Sequence, residues 1–373
     1  MQYRSFGSTG LKIAPLGFGM MRLPKKDGAV DVESSIANLR WAIDQGLNYV
    51  DTAYNYLDGE SERVTGLALQ DGYREKVFLA TKCPVWKIEK PEDFDALLDE
   101  QLARLQTDHV DFYLLHALDA ERWQESVLAH DVPERLLAAK KSGKVRYIGF
   151  SFHDSLPAFK EIVDYWQEWD FCQIQLNYVD TQHQAGLEGL EYAASKGLGV
   201  TIMEPLRGGY LANLPEEAEQ WLTKSGKTPI EMALDFLWDR PEVSVVLSGM
   251  GAMEQVRENW GYAQRASIGM LQEEERENIA HAADCLHKDA GVPCTGCNYC
   301  AVCPSGIPIS EIFAAYNTCR TKMSIPAGHK LYQALEEKGP VADACVGCGT
   351  CESLCPQHIE IRQWLPKVHS LLK

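Results

Sequence analysis

The sequence lacks both a long hydrophobic run and an excess of positive charge. Of its 373 residues, 45% are hydrophobic and 24% are charged, as in an ordinary globular protein. No stretch approaches the roughly 20 apolar residues that span a bilayer. The formal net charge of −17 argues against binding to nucleic acid or to anionic membranes. Because the first residues form no apolar signal segment, we expect a cytoplasmic protein with neither a nucleic acid nor a membrane as partner.

Disulfide bonds are not expected either, although the chain contains 12 cysteines. A reducing cytoplasm keeps thiols free. Eight of the cysteines stand in two short runs near the C-terminus, and this placement points to a bound metal or cluster rather than to cross-links.

No Gly-x-Gly-x-x-Gly motif follows the first predicted strand, so a doubly wound dinucleotide-binding sheet lacks its main signature. Instead, short apolar runs alternate with amphipathic segments. The predicted strands are residues 14–18, 47–50, 77–80, 110–115, 145–149, 171–176, 199–203 and 244–247. The predicted helices are residues 33–45, 60–69, 91–105, 133–142, 155–169, 185–195, 229–238 and 252–262. This alternation favours a (β/α)8 barrel over residues 1–270, with an N-terminal β-hairpin at residues 3–13.

The C-terminal part has no strand pattern. Helical spacing over residues 271–288 predicts one helix in a linker that covers residues 271–290. Beyond it, the spacing predicts helices at residues 309–319, 331–338 and 361–372. We therefore expect a second, small and mainly α-helical domain over residues 291–373.

Four polar side chains follow three consecutive predicted strands. Asp51 and Tyr56 come after the second strand, Lys82 after the third and His116 after the fourth. Parallel barrels carry their chemistry where the carboxyl ends of the strands meet. The sequence therefore predicts that these four side chains converge, although any one of them alone could have only a structural role.

The four residue types suit carbonyl reduction, or alcohol oxidation in reverse. A hydride that reaches a carbonyl carbon leaves an oxyanion, which needs a proton and stabilising dipoles. A tyrosine with an unperturbed pKa near about 10 could supply the proton if the Lys82 ammonium lowered that pKa. Asp51 would hold Lys82 in place, and His116 could donate a hydrogen bond to the substrate oxygen. Tyr54 is the rival phenol.

At these positions the chain resembles the aldo-keto reductases. The similarity lies in Asp51-Thr-Ala-x-x-Tyr56 with the following Gly-x-Ser-Glu62, in Ala-Thr-Lys82 and in Leu-Leu-His116. It covers residues 1–265 and implies the four catalytic roles given above. It also favours Tyr56 over Tyr54 as the acid.

The resemblance implies a nicotinamide cofactor, NADP(H) or NAD(H). Ser151 and Gln175 match the family's contacts to the nicotinamide. Phe152 stands where an Asn is usual, so one hydrogen bond to the carboxamide depends on whether the neighbouring His153 replaces that Asn. The family often places a basic residue near position 250 or 255 for the NADP 2′-phosphate. Neither position is basic here, and the nearby cations are Arg207 and Arg257. The choice between NADP(H) and NAD(H) therefore stays open. The other expected cofactor contacts are Gly19, Met20, Glu204, Pro205, Leu206, Gly208, Ser248, Gly249, Met250, Gln255, Glu258 and Asn259.

The two cysteine runs are Cys294-x2-Cys297-x2-Cys300-x2-Cys303-Pro and Cys345-x2-Cys348-x2-Cys351-x3-Cys355-Pro. Two sets of four thiolates that each end in Cys-Pro match two [4Fe–4S] clusters. With the crossed ligation usual for such pairs, the two ligand sets are Cys294, Cys297, Cys300 and Cys355, and Cys345, Cys348, Cys351 and Cys303. The alternative is a pair of structural zinc sites. The long helical insert between the runs resembles α-helical ferredoxin domains.

Together these features predict an oxidoreductase with a small carbonyl or alcohol substrate and an iron–sulfur module that could serve a redox partner protein. Hydride carries two electrons, whereas each cluster moves one at a time, and no flavin motif is evident between them. Two alternatives stay open. The chain could be an electron-transfer protein whose barrel no longer reduces carbonyls, or its clusters could sense oxygen or iron and regulate the reductase.

Overall fold

The computed structural model describes residues 2–288, 291–319 and 324–373. Its strands, in chain order, are β1 (Arg4–Ser5), β2 (Lys12–Ile13), β3 (Leu16–Gly19), β4 (Lys25–Lys26), β5 (Ala29–Val30), β6 (Tyr49–Asp51), β7 (Phe78–Cys83), β8 (Val110–Leu118), β9 (Val145–Phe152), β10 (Phe171–Gln175), β11 (Gly199–Met203) and β12 (Val243–Ser248). Eight of these strands form a closed parallel barrel in the order β3-β6-β7-β8-β9-β10-β11-β12. The predicted (β/α)8 barrel is therefore confirmed.

Helices follow the barrel strands as the sequence predicted. They are α1 (Val32–Asp44), α2 (Glu60–Ala68), α3 (Pro91–Leu105), α4 (Ala120–Arg122), α5 (Val132–Ser142), α6 (Leu156–Tyr165), α7 (Gly186–Ser195), α8 (Glu216–Leu222), α9 (Pro229–Trp238) and α10 (Met253–Gln264). The helices α4 and α8 were not predicted, because three and seven residues are too few to establish a helical period. Among the described residues, no helix is both long and apolar enough to cross a membrane.

The barrel strands are nearly continuous apolar runs because both faces of a parallel sheet are covered. In β8, all nine residues are buried. This strand is longer than predicted, and His116 lies within it rather than after it. Likewise β6 extends to Asp51, which pairs with Gly19 of β3 and Ala80 of β7. The ladder thus places Asp51 at a fixed height in the barrel wall.

The predicted N-terminal hairpin is also confirmed, since β1 and β2 pair antiparallel. Phe6, between them, is fully buried, and its ring centroid lies 4.8 Å from that of Phe112 and 5.7 Å from that of Phe171. A β-carbon at Gly199 would lie only 2.5 Å from the Phe6 ring. The hairpin therefore closes the barrel at the end where β10 and β11 begin.

The chain divides into two compact units. The first comprises Met1–Leu176, Asp180–Pro205 and Leu237–Met270 and contains the barrel strands. The second comprises Asn177–Val179, Leu206–Phe236 and Leu271–Lys373. The short segments 177–179 and 206–236 follow β10 and β11 in the chain, yet they group with the cysteine-rich tail. The domain boundary after residue 270 stays a prediction.

In the second unit, the linker helix α11 (Glu273–Lys288) is followed by α12 (Ile309–Thr318), α13 (Ser324–Glu336), α14 (Thr350–Ser353) and α15 (Ile361–Leu372). Apolar side chains such as Ile312, Phe313, Tyr332 and Leu365 form its core. Over 291–319 and 324–373 the structure has no strand, in agreement with the predicted helical domain. The helix expected at residues 331–338 begins earlier, at Ser324.

We expect Phe6→Ala to destabilise the barrel by about 3 kcal/mol, because it removes a fully buried ring and leaves a cavity. Phe6→Leu is the matched control, since it keeps most of the apolar volume. The measurement is the urea midpoint followed by far-UV circular dichroism. A Phe6→Ala midpoint equal to that of the wild type would show that the hairpin does not brace the barrel.

Candidate active site and cysteine cluster

Lys82 lies at the centre of the predicted catalytic group. Its side chain is fully buried on β7, and its Nζ donates to Oδ1 of Asp51 at 2.6 Å and to the carbonyl oxygen of Thr52 at 2.8 Å. The same Nζ lies 3.4 Å from the hydroxyl of Tyr56. A single ammonium therefore joins the carboxylate to the phenol, as the sequence predicted from their positions at strand ends.

Burial sets the electrostatics of Asp51 and His116. It raises the pKa of the Asp51 carboxyl above its ordinary value, and the neighbouring Lys82 ammonium opposes that rise. Burial also lowers the pKa of His116 well below its ordinary value, and the nearby positive charges of Lys82 and Arg122 lower it further. His116 is therefore a neutral imidazole at neutral pH.

Three aromatic rings, those of Tyr56, His116 and Trp86, lie next to one another at the predicted catalytic group. The Tyr56 and His116 rings meet edge to face with centroids 5.9 Å apart. The Trp86 ring centroid lies 5.3 Å from that of His116, and the side chain of Trp86 is 39% exposed. The three rings thus form an apolar surface that is partly open to solvent.

Tyr54, the rival phenol, lies in a different environment. Its hydroxyl is 3.2 Å from a carboxylate oxygen of Glu100 on α3, and the Arg104 guanidinium lies 4.2 Å from its ring centroid. β6 ends at Asp51, and Tyr56 opens a short 3-10 helix at Tyr56–Gly59, in which Leu57 and Asp58 have positive φ angles. This turn of the chain brings Tyr56, and not Tyr54, to Lys82.

Glu62 and Gln101 brace the strand that carries Lys82, and their function was missed from the sequence. Glu62 is fully buried and accepts hydrogen bonds from Thr81 at 2.7 Å and from Gln101 at 2.6 Å. Gln101 also donates to the carbonyl oxygen of Lys82 at 3.0 Å. The Glu of the Gly-x-Ser-Glu motif was the available signal, whereas Gln101 stands in an unremarkable amphipathic helix.

The serine of the same motif acts on the other side of the site. The Ser61 hydroxyl lies 2.7 Å from that of Thr52 and donates to the carbonyl oxygen of Met20 at 2.8 Å. Met20 in turn donates its backbone N–H to the carbonyl oxygen of Asp51 at 2.8 Å. These bonds tie the turns after β3 and β6 together around Asp51.

The residues expected at the nicotinamide are buried at the ends of β9 and β10. The Ser151 hydroxyl accepts the backbone N–H of Ala117 at 2.7 Å and keeps its own proton to donate. Gln175 donates to Asp180 at 3.4 Å. Phe152, where the family usually has Asn, is fully buried, and its ring centroid lies 5.2 Å from that of Phe159 on α6. Its side chain therefore belongs to the core between strand and helix.

The turn between β12 and α10 contains a second expected group. Asn259 donates to the Ser248 hydroxyl at 3.1 Å. Gln255 caps α10 by accepting the backbone N–H groups of Gly251 and Ala252, at 3.0 and 3.2 Å. Such a helix N-terminus favours an anionic group such as a phosphate.

Arg22 is a cation that sequence reasoning overlooked at this turn. A β-carbon at Gly249 would lie 3.1 Å from Cβ of Arg22 and 3.2 Å from its Cδ, so the stem of Arg22 lies against Gly249. Barrel closure brings this about, because β3 pairs with β12 through Phe18 and Ser248. Nothing in local spacing indicates it.

The remaining expected cofactor residues follow the strands from which they were predicted. Gly19 ends β3, Glu204 and Pro205 follow β11, Gly249 and Met250 follow β12, and Glu258 is exposed on α10. Leu206 and Gly208 belong to the second unit, where Arg207–Ala212 form a 3-10 helix with Gly208 and Gly209 at positive φ.

Cysteines of the tail line a pocket that is partly open to solvent. Four of them line it: Cys294, Cys297, Cys300 and Cys355. Apolar residues, among them Ile309, Phe313 and Ile361, complete the wall. The first three cysteines of one run thus stand with the last cysteine of the other, which is the first of the two crossed ligand sets predicted from the sequence.

Two cysteines of the other predicted set lie near Cys351. Cys351 is buried, and Cys303 and Cys345 lie close enough to contribute to the raised pKa of its thiol, which burial dominates. Cys348 is exposed. Among the described residues, no three His, Cys, Asp or Glu side chains converge tightly enough to hold a single metal ion.

Comparison with known sequences identifies both parts of the chain. Residues 15–281 match the Aldo/keto reductase family, and residues 293–360 match a 4Fe-4S dicluster domain. The chain belongs to the aldo/keto reductase family and is an oxidoreductase of that type, with a 4Fe–4S domain fused to its barrel.

Its relatives extend over most of the barrel. L-galactose dehydrogenase from Arabidopsis thaliana is 30% identical over an alignment of 304 residues, and the match covers 73% of this chain and 92% of the relative. A methylglyoxal reductase from Escherichia coli is 36% identical over 160 residues, 43% of this chain and 51% of the relative. An aldo-keto reductase structure from Bacillus halodurans, in its holo form, superposes with a TM-score of 0.63 at 25% identity and covers 76% of this chain and 96% of its own.

Proposed function

We propose that this chain reduces a small aldehyde, ketone or sugar carbonyl with NADPH or NADH, or oxidises the corresponding alcohol. The observation that carries this proposal is the buried Lys82 ammonium, which lies 2.6 Å from the Asp51 carboxylate and 3.4 Å from the Tyr56 hydroxyl. The nicotinamide supplies the hydride when it is bound. The protein's own residues must then supply a proton and stabilise the developing oxyanion.

Each of the four side chains has a defined task in this reaction. Tyr56 donates its hydroxyl proton to the substrate oxygen, and the Lys82 ammonium stabilises the phenolate that forms. Asp51 holds that ammonium in position within a buried environment. His116, as a neutral imidazole, donates a hydrogen bond to the same substrate oxygen without adding a second positive charge.

Small polar carbonyl compounds are the substrates that we propose. Among the relatives, one is named L-galactose dehydrogenase, one methylglyoxal reductase and one L-glyceraldehyde 3-phosphate reductase. Sugars and small aldehydes are therefore the first compounds to screen. We also propose that the protein acts in the cytoplasm. Trp86 is the aromatic side chain near His116 that a substrate would meet first.

We expect Tyr56→Phe to lower kcat by roughly 10²- to 10⁴-fold, the usual contribution of a positioned acid. Tyr54→Phe is the matched control and should keep activity within about twofold, because its hydroxyl lies near Glu100 rather than Lys82. Steady-state reduction assays and a fluorescence titration with NADH and NADPH measure turnover and cofactor affinity separately.

Wild-type turnover in Tyr56→Phe would refute the role assigned to Tyr56. A wild-type protein that binds neither nucleotide would instead favour an electron-transfer protein with an inactive barrel.

The lowered pKa of His116 leads to a second prediction, which concerns the pH dependence of the reaction. A histidine with an ordinary pKa near about 6.5 would be half protonated at that pH, whereas His116 should still be neutral there. The pH profile of kcat/KM should therefore show no inflection near pH 6.5 that arises from His116. An inflection there that persists in His153→Gln, which replaces the neighbouring histidine, would show that His116 titrates normally.

We further propose that the tail binds two [4Fe–4S] clusters with crossed ligation. The cavity lined by Cys294, Cys297, Cys300 and Cys355 supports this assignment. When bound, each cluster would carry one electron. The exposure of Cys348 favours the second cluster as the one that a redox partner protein would reach.

Two double variants test the crossed ligation. Cys294→Ala with Cys355→Ala removes ligands of one set only, and about four of about eight irons should remain. Cys294→Ala with Cys303→Ala removes a ligand from each set, and both clusters should be lost. Iron analysis and EPR of anaerobically purified protein give the count, and Cys319→Ser, outside both sets, is the control. The reverse pattern would establish uncrossed ligation, and zinc in place of iron would overturn the cluster assignment.

A further inference from the structure

Gly208 is in close contact with the backbone between two predicted cluster ligands. A β-carbon at Gly208 would lie 2.2 Å from the carbonyl oxygen of Thr295 and 2.7 Å from its Cα. Thr295 is 3% exposed and stands between Cys294 and Cys297. Only a residue without a β-carbon fits at position 208, because the neighbouring atoms are backbone atoms, which cannot rotate away.

The linker helix makes an independent contact with the other short segment of the same unit. Nε2 of His287, in the last turn of α11, donates to the carbonyl oxygen of Val179 at 2.9 Å. Within that segment, Asn177 is fully buried and accepts the backbone N–H of Val179 at 3.0 Å. Residues 177–179 are thus held both by the side chain of Asn177 and by His287 of the linker helix.

Both contacted segments continue directly from expected cofactor residues. Residues 177–179 begin two positions after Gln175, and Leu206 and Gly208 follow Glu204 and Pro205 in the chain. We propose that His287 and Thr295 are positioning residues for the nicotinamide cofactor, which hold the loops after β10 and β11 in the conformation that binds it. This inference rests on the proposed reductase function.

In this role the 4Fe–4S domain supports cofactor binding without exchanging electrons with the nicotinamide. Ligation through Cys294 and Cys297 would fix the backbone of Thr295, because that residue lies between the two ligands. Gly208 meets this backbone, and a shift of either segment would be transmitted to the other. The loop that follows β11 would then have its binding conformation only while the cysteine segment is in place.

Two adjacent glycines provide the matched test. Gly208 and Gly209 both have positive φ angles, of 67° and 99°, so alanine strains the backbone at either position. A β-carbon at Gly208 would collide with Thr295, whereas one at Gly209 would meet nothing within 4 Å. We expect Gly208→Ala to weaken NADH and NADPH binding roughly tenfold, a typical coupling between sites, and to raise the cofactor KM more than it lowers kcat. Gly209→Ala should stay within about twofold of wild type.

A histidine pair provides the second test and decides the question if Gly208→Ala does not fold. His287→Ala removes the hydrogen bond to Val179 and should weaken cofactor binding several-fold. His287→Gln can still donate to a carbonyl oxygen and should restore most of the affinity. Nucleotide fluorescence titration gives the affinities, and iron analysis shows that the cluster content of the histidine variants is unchanged.

The outcomes separate this inference from the function on which it rests. If the wild type binds nicotinamide and both tests show equal affinities for variants and controls, the positioning role is refuted and the reductase proposal stands. If the wild type binds neither nucleotide, the reductase proposal fails and the inference fails with it. Weakened binding in His287→Ala with normal binding in His287→Gln supports the positioning role, because His287 is not an expected cofactor contact. Weakened binding in Gly208→Ala with normal binding in Gly209→Ala supports it only together with that result, because Gly208 is itself an expected cofactor contact.

Discussion

The buried ion pair of Lys82 and Asp51 is the interaction on which the geometry of the candidate site depends. Removing two charges from water costs several kcal/mol per ion, and the attraction between them compensates only when their geometry is well fixed. Both side chains are almost fully buried, and the ammonium donates 2.6 and 2.8 Å hydrogen bonds to Asp51 and Thr52. A pair of this kind is poor evidence for stability and good evidence for a site whose charges have a use.

The surrounding hydrogen bonds are arranged to keep that geometry. Glu62 and Gln101 hold β7 at Thr81 and at the Lys82 carbonyl, while Ser61 ties the turn after β6 to Met20. The Gly-x-Ser-Glu motif that follows Tyr56 therefore has a structural role. Its serine ties the turn after β6 to Met20 and its glutamate holds Thr81 of β7, so both residues support the position of the same ion pair.

Most of the barrel could be predicted from the sequence because parallel strands are short apolar runs separated by amphipathic helices. The convergence of Asp51, Lys82 and His116 followed from their places at strand ends. Arg22 and Gln101 could not be found this way, since closure of the barrel and the packing of α3 bring them to their positions. The grouping of residues 206–236 with the tail was equally hidden, because local spacing contains no information about which distant segment a loop contacts.

The same limit bears on the relation between hydride and iron–sulfur chemistry. A nicotinamide would deliver two electrons together as a hydride, whereas a 4Fe–4S cluster moves one at a time. Direct exchange would need a mediator, and no flavin motif is evident in the sequence. The contacts of Gly208 with Thr295 and of His287 with Val179 need no such mediator, because they act through backbone position. On the proposed positioning role, the cysteine segment would support the loops that follow β10 and β11 whether or not a cluster exchanges electrons, and electron transfer to a partner at the exposed Cys348 would be a separate property.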